Sequence, residues 1–292
     1  MNDIDGRHGA FTYRTMRAVI GDDRLREAIE AGRLVSFGPG VILDGARALS
    51  LRTRCAGALL LAGPSAVVVG PSAAALYGCT AAGGHPVHVS VPPGRRVRSR
   101  NGMVVHHGAV AEVGRVDGLR VVPLPVAVGE VLCASARRVA LGCADEALRL
   151  VDDPEELWAA IGEYLRTRPD PSGLRQARDL LALATGRPES PAESSVLLTL
   201  VDAGFPEPCS QYEVFGDCAD VLWRLDFAWP EAQIGVQYEP VARKRLAADL
   251  ARESSLRRQG WTVVRAGPED LASPRGLCDR VHRAFVERRN AA

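Results

Sequence analysis

An alternating stretch near the C-terminus, Arg224 to Pro240 (RLDFAWPEAQIGVQYEP), constrains the fold of this chain most strongly. Successive side chains of a β-strand point to opposite faces of the sheet, so alternating apolar and polar residues indicate half-buried strands. If the chain reverses at Glu231-Ala232, the two halves form a hairpin in which Asp226 lies opposite Gln237. One face of this hairpin is then apolar and must be core: it carries Leu225, Phe227, Trp229, Ile234, Val236 and Tyr238.

The opposite face of the hairpin is where chemistry is expected. Asp226, Gln237 and Glu239 can converge there, because directly opposed Cβ atoms lie about 4.5–5.5 Å apart and diagonal ones about 7–8 Å apart. Such oxygen ligands suit Mg²⁺, which usually takes one or two carboxylates and keeps several waters. Gly235 would leave room for a sugar-phosphate backbone to approach. The alternative is an Arg224–Glu239 ion pair on a solvated face, with Asp226 merely exposed.

The residues around the hairpin predict an α/β sandwich over the last third of the chain. Ser190 as N-cap, Pro191 at the first helical position and Glu193 three residues after the cap form a capping box, which starts a helix ending near Ala203. The elements predicted after it are strands near 210–215, 219–228 and 233–239, a helix over 243–258, a strand over 261–266 and a helix over 276–289.

This last third resembles the nuclease-like domain related to very short patch repair (Vsr) endonucleases, a PD-(D/E)XK fold common in actinobacterial chains. The resemblance is carried by the capped helix with Glu193, the hairpin RLDFAWPEAQIGVQYE, Asp249 with Arg252 three residues later, and the strand WTVVRA. In that family the second strand reads like V-x-V-E-Y-D-G. The resemblance implies that Asp226 binds a metal and that Glu193 contacts it through a water.

The chain departs from the family pattern where the metal would bind. Gln237 replaces the glutamate, Pro240 replaces the glycine, and the histidine expected between Glu239 and Asp249 is absent. A glutamine can ligate a metal through its carbonyl oxygen but brings no negative charge, so cleavage is predicted to be weakened or lost. An active Mg²⁺-dependent endonuclease stays open, with Asp226, Gln237, Glu239 and Glu193 as catalytic residues and Asp226 and Gln237 as metal ligands.

Any nucleic-acid contact must come from local basic patches, because the net charge is only +1. One patch lies on the helix after the hairpin, although Arg252 could instead pair with Asp249 one helical turn earlier. The other lies on a predicted hairpin between strands 87–91 and 103–106, where a solvated charge run is the alternative. The candidate phosphate contacts are Arg243, Lys244, Arg245 and Arg252 in the first patch, and Arg95, Arg96, Arg98 and Arg100 in the second.

The front of the chain, residues 12–44, is predicted to form a helix, a turn, a second helix and two strands separated by Gly38-Pro39-Gly40. This order resembles the winged-helix domain of AbiEi-like antitoxins, which implies that the second helix enters the DNA major groove. However, four acidic residues accompany three arginines in that helix and its flanks. Acidic side chains facing phosphates would cost affinity. A winged helix used for protein contact therefore stays open.

Three domains are predicted, 1–44, 45–185 and 186–292, and the Pro- and Gly-rich segments 166–173 and 186–191 are the best linker candidates. The predicted class is α+β: a winged helix, a mixed α/β middle segment and the nuclease-like sandwich. His106 and His107 in the middle segment point to opposite faces of a strand, so they cannot share one metal. Helices in the middle segment are predicted near 47–61, 125–135, 137–151, 154–166 and 174–185.

The cysteines and the apolar stretches of the sequence limit the kinds of site and the location that we expect. The seven cysteines are scattered and form no C-x-x-C pair, so we expect neither zinc nor a disulfide framework, but free buried thiols in a reducing cytoplasm. No apolar stretch is long enough to span a membrane. The predicted function is a DNA-binding regulator of antitoxin or defence type, which could also have a toxin or another protein as partner. An endonuclease and a protein-interaction module without DNA contact are the alternatives.

Overall fold

The computed structural model describes residues 4–83, 86–100, 102–215, 221–240 and 247–291. The chain divides into two compact units, 1–181 and 182–292, and each combines helices with a sheet. The predicted α+β class is therefore confirmed. The first two predicted domains, 1–44 and 45–185, fall largely within one compact unit, and their separation stays a prediction.

The front of the first unit has the predicted order of helix, helix and hairpin, with one strand added before it. Thr12 starts the first helix, because its side chain accepts the N–H of Thr15 at 3.1 Å. The three strands pair in the order β1-β3-β2, as in a winged helix. A small core of Leu25, Ala28, Leu34 and Ile42 holds them together. The elements are β1 (Ala10–Thr12), α1 (Tyr13–Ile20), α2 (Asp22–Glu30), β2 (Leu34–Gly38) and β3 (Val41–Asp44).

The rest of the first unit is a five-stranded sheet with helices around it, and all five predicted helices are present within a few residues. The strands pair in the order β6-β5-β4-β8-β7, so β6 lies at one edge. The elements are α3 (Leu51–Ala62), β4 (Val67–Val68), α4 (Gly70–Leu76), β5 (Val87–Val91), β6 (Met103–His107), β7 (Gly114–Val116), β8 (Leu119–Val121), α5 (Leu124–Ala134), α6 (Arg137–Leu150), α7 (Pro154–Thr167) and α8 (Leu174–Leu183).

The predicted hairpin between 87–91 and 103–106 is wrong, because β5 and β6 run parallel. The segment 92–102 is long enough to return to the start of β6, as parallel pairing requires. On its way it follows the outer edge of β6: Arg100 bridges to Met103, and Val105 donates its N–H to Ser99 Oγ at 2.9 Å. We call residues 92–102 the basic connection.

The second unit is a four-stranded sheet in the order β12-β11-β10-β9, with helices packed against it. Trp229 pairs with Ile234 and Phe227 with Val236, so the register continues to Asp226 opposite Gln237, as predicted. Strands β11 and β12 are parallel. The elements are α9 (Pro191–Asp202), β9 (Cys209–Phe215), β10 (Val221–Trp229), β11 (Ile234–Tyr238), α10 (Ala247–Arg258), β12 (Thr262–Ala266), α11 (Pro268–Ala272) and α12 (Arg275–Ala291).

Leu225 does not lie on the predicted face of the hairpin. It packs with Ala228 in one buried cluster, and its methyl groups lie over Gly235, which pairs with Ala228. The regular alternation fails because the partner strand is irregular: Gln211, between the residues that pair with Leu225 and Phe227, has a φ of 54°. Strict alternation therefore does not continue through Asp226.

Within the described residues, no helix is both long and apolar enough to cross a membrane. The six described cysteines are free. Cys55, Cys79 and Cys143 are buried as expected, whereas Cys209 is exposed.

Candidate functional site

Asp226 lies within β10 and is only 8% exposed, so the alternative of a merely exposed carboxylate is wrong. Its two oxygens accept different donors. Oδ1 accepts the Nε2–H of Gln237 at 2.8 Å, and Oδ2 accepts the backbone N–H of Tyr238 at 2.6 Å. The side chain of Asp226 is therefore bound to one side chain and one backbone N–H of consecutive residues in β11.

Gln237 presents its amide nitrogen, rather than its carbonyl oxygen, to Asp226. The orientation is set by Trp223, whose indole N–H donates to Gln237 Oε1 at 3.3 Å. An indole N–H is only ever a donor, so this contact identifies the oxygen end of the amide. Gln237 could ligate a metal beside Asp226 only if its amide turned over, which would break both hydrogen bonds.

Burial raises the pKa of Asp226 from 3.8 to about 7. The N–H of Tyr238 opposes this shift, the nearby carboxylate of Glu193 adds to it, and the amide of Gln237 opposes it again. Near neutral pH this carboxyl is thus only partly ionised. A strongly shifted carboxyl within a polar cluster is a candidate functional group on physical grounds.

Glu193 caps its own helix. Ser190 Oγ accepts the N–H of Glu193 at 3.3 Å and donates to Glu193 Oε1 at 2.9 Å. The other carboxylate oxygen, Oε2, accepts the N–H of Glu189 at 2.7 Å and the side-chain amide of Gln211 at 3.1 Å. The predicted capping box is confirmed, except that the returning bond goes to Glu189, one residue before the cap.

Replacing Ser190 with alanine is expected to destabilise the second unit by about 1 kcal/mol, because the cap of α9 is lost. Urea unfolding followed by tryptophan fluorescence would measure it. The matched control is Ser195→Ala in the same helix, where the hydroxyl donates to Pro191 O at 2.8 Å and its removal should cost little. Equal effects of the two changes would contradict the capping role.

Glu239 does not converge on Asp226. It forms an ion pair with Arg265, which also pairs with Glu253 at 3.2 Å. The cause lies in the backbone, because Glu239 donates its N–H to Ala266 O at 2.8 Å and so continues the pairing with β12. The predicted Arg224–Glu239 alternative is also wrong, since Arg224 pairs instead with Glu189 at 2.5 Å.

The predicted opening at Gly235 is filled. A Cβ placed on this glycine would lie 2.6 Å from Leu225 Cδ1. The missing side chain makes room for Leu225 in the core and leaves none for a sugar-phosphate backbone.

As folded, these residues do not fit Mg²⁺. Gln237 offers a donor where a ligand is needed, Glu239 is held by Arg265, and both oxygens of Glu193 already accept hydrogen bonds. In the part of the chain that the structure describes, no group of three or more His, Cys, Asp or Glu could hold a metal ion. Mg²⁺ dependence stays a prediction.

The nucleic-acid contacts predicted on the helix after the hairpin are not tested. Arg243, Lys244 and Arg245 lie outside the described residues, as do the side chains of Asp249 and Arg252.

The four arginines of the basic connection are all exposed. Arg95 reaches Ala62 O at 3.4 Å, and among the described residues none of the four has an acidic partner. The connection adjoins the wing turn between β2 and β3, because a Cβ on Gly38 would lie 3.6 Å from Arg100 Nη1. The predicted basic patch is thus next to the hairpin of β2 and β3, the predicted wing.

Charges on α2 are largely paired with one another. Arg26 lies 3.6 Å from Asp23, and Arg33 lies 2.9 Å from Glu27. These exposed pairs add little stability, and of the two arginines of α2 only Arg24, which is exposed, lies outside them.

Two residues of the polar cluster, Trp223 and Gln211, were not foreseen from the sequence. Alternation places Trp223 on the face opposite Asp226. Nothing in the sequence indicates that Gln211 adopts a left-handed backbone conformation. Trp223 reaches Gln237 across the hairpin of β10 and β11, and Gln211 reaches from β9 to Glu193 on α9.

No protein-family model matches the chain. It is similar to two proteins of Mycobacterium tuberculosis, uncharacterized protein MT2308 of strain CDC 1551 / Oshkosh and uncharacterized protein Rv2248 of strain ATCC 25618 / H37Rv. Each is 33% identical over 270 residues, which cover 90% of this chain and 96% of the relative. The resemblances to AbiEi-like and Vsr-like domains stay predictions. The chain belongs to the same family as these two mycobacterial proteins.

Proposed function

We propose that the protein is a cytoplasmic DNA-binding regulator of antitoxin or defence type, whose nuclease-like second unit has weak or no cleavage activity. The observation that carries the second half of this proposal is the orientation of Gln237. Its amide nitrogen occupies the position beside Asp226 where a cation would be expected, and Trp223 fixes it there. The partly ionised Asp226 also attracts a cation less strongly than a full carboxylate would.

DNA contact is supported by the basic connection. Guanidinium groups are planar forks that match phosphate oxygens, and Arg95, Arg96, Arg98 and Arg100 are exposed without an acidic partner among the described residues. The basic connection lies next to the turn between β2 and β3, the predicted wing, so the connection and the wing would follow one DNA backbone. The alternative role of this segment is to cover the exposed edge of β6, which natural sheets often protect with charged residues.

A protein partner is supported by a different surface. The exposed side of α2 carries acidic residues paired with arginines, which suits contact with a protein better than insertion between phosphates. A toxin with a basic surface would fit this helix. The free cysteines are consistent with the reducing cytoplasm in which such a regulator would act.

The test of DNA binding is a double variant, Arg96→Ala with Arg98→Ala, in gel shifts on a labelled duplex over a range of salt concentrations. Each lost phosphate contact should lower the slope of log affinity against log salt by about 0.9, so the slope should fall by about 1.8 and the affinity on the order of 10-fold.

The control for this test is Arg175→Ala with Arg178→Ala, which removes the same charge from exposed positions of α8. Equal losses in both variants would show that only net charge matters, and absence of binding by the wild type would favour the protein-interaction module. Supercoiled DNA with Mg²⁺ or Mn²⁺ in the same samples should stay intact. Nicking that Asp226→Ala abolishes would establish the endonuclease alternative instead.

A further inference from the structure

Two histidines meet on the sheet of the first unit. His88 on β5 and His106 on β6 lie on one face, because His106 pairs with Ser90, two residues after His88 on the neighbouring parallel strand. His88 Nδ1 and His106 Nε2 are 3.1 Å apart. The rings are stacked, with centroids 5.3 Å apart and planes inclined by 26°. This contact follows from the parallel pairing of β5 with β6, which the sequence did not predict.

Both rings are suited to be ligands. Burial lowers the pKa of both His88 and His106, and the neighbouring His106 lowers the pKa of His88 further. The pair is therefore neutral near pH 7, with one ring donating a proton to the other. His106 is exposed, so an ion can reach the pair directly from solvent.

We propose that His88 Nδ1 and His106 Nε2 bind one divalent transition-metal ion of the Zn²⁺ or Ni²⁺ kind, with water completing the coordination. Two nitrogens bound at 2.0–2.1 Å to a tetrahedral ion lie about 3.3 Å apart, close to the 3.1 Å found here. Imidazole nitrogen suits these ions, whereas Mg²⁺ prefers oxygen.

Metal binding needs a change of tautomer and a tilt of the two rings, because the facing nitrogens point at each other in the hydrogen bond, whereas a tetrahedral ion lies beside the line that joins them. The ring that donates in the free pair shifts its proton, through solvent, to its other nitrogen, so both facing nitrogens offer lone pairs and no net proton is released. Two protein ligands leave open positions on the ion.

The test is isothermal titration of the full chain with Zn²⁺ alone, comparing wild type with His88→Ala, His106→Ala and His107→Ala. His107 is exposed and adjoins His106 on the opposite face, so it controls for non-specific imidazole binding. We expect one site whose affinity falls about 10-fold or more in each variant of the pair and is unchanged in His107→Ala.

His106 is exposed, so its replacement should leave the fold intact; circular dichroism of each variant would check this. Zn²⁺ should also raise the midpoint of thermal unfolding in wild type and His107→Ala but not in His106→Ala. Equal Zn²⁺ affinity in His106→Ala and His107→Ala, or no binding by the wild type, would overturn the proposal. Neither readout involves DNA, so the result is independent of the proposed regulatory function.

Discussion

As the pH rises from 3.8 to about 7, the second unit of the wild type is expected to lose roughly 4 kcal/mol of stability relative to an Asp226→Asn variant. Burial raises the pKa of Asp226, so over this window the folded state keeps a proton that the unfolded state releases. The unfolded state then binds fewer protons, and the free energy of unfolding must fall as the pH rises. Above about pH 7 both states are ionised and the difference becomes constant.

Urea unfolding at a series of pH values would measure this difference. Tryptophan fluorescence reports mainly on the second unit, because Trp223, Trp229 and Trp261 lie there and only Trp158 lies in the first. Asparagine has one acceptor oxygen where Asp226 accepts two donors, so the variant also carries a fixed cost. The quantity to measure is therefore how the difference in unfolding free energy between Asp226→Asn and the wild type changes with pH.

The matched control is Asp279→Asn, which removes an exposed carboxylate from α12 of the same unit. The unfolding free energy of Asp279→Asn should change with pH in parallel with that of the wild type. If the Asp226→Asn profile were also parallel, folding would not raise the pKa of Asp226, and the buried cluster would need another description.

The sequence predicted those features of the candidate site that depend on neighbours along the chain. The register of the hairpin follows from its turn, so Asp226 was correctly placed opposite Gln237. The cap at Ser190 follows from local spacing and was also correct. Both contacts are determined within a dozen residues, where alternation and capping patterns are informative.

Features that depend on distant strands were not predictable in the same way. Whether β5 and β6 pair parallel or antiparallel depends on the course of the basic connection, which has no periodic pattern. The side occupied by Leu225 depends on one left-handed residue, Gln211, in the neighbouring strand. The orientation of Gln237 depends on Trp223, which lies on the same hairpin but which alternation assigns to the opposite face, so this contact too was not predicted.

In the polar cluster of the second unit, glutamine side-chain amides donate hydrogen bonds to carboxylates. Gln237 donates to Asp226 and Gln211 donates to Glu193. A neutral amide supplies a hydrogen bond without a positive charge, so it satisfies the oxygens but offsets only part of the cost of burying them. This explains why the pKa of Asp226 is raised although both of its oxygens are hydrogen-bonded.

The stability of the Gln237→Glu variant is expected to depend on metal more strongly than the stability of the wild type. Without metal, the new carboxylate faces Asp226 at hydrogen-bond distance, so the pair must share a proton or repel, and we expect a loss of about 2 kcal/mol or more. With Mn²⁺ in roughly 100-fold excess over its dissociation constant, the variant should regain about 2.7 kcal/mol.

Urea unfolding of the second unit at pH 8, with and without Mn²⁺, would measure both effects by tryptophan fluorescence. Gln237→Met is the control, because it removes the same hydrogen bonds to Asp226 and Trp223 but adds no ligand. Mn²⁺ should stabilise only Gln237→Glu. If Mn²⁺ left this variant unchanged, Asp226 and position 237 would not be arranged around a metal position, and the nuclease-like interpretation of the hairpin would lose its chemical basis. If it stabilised the wild type equally, Gln237 would have turned its carbonyl oxygen to the ion, and the proposal of weak or lost cleavage would fail.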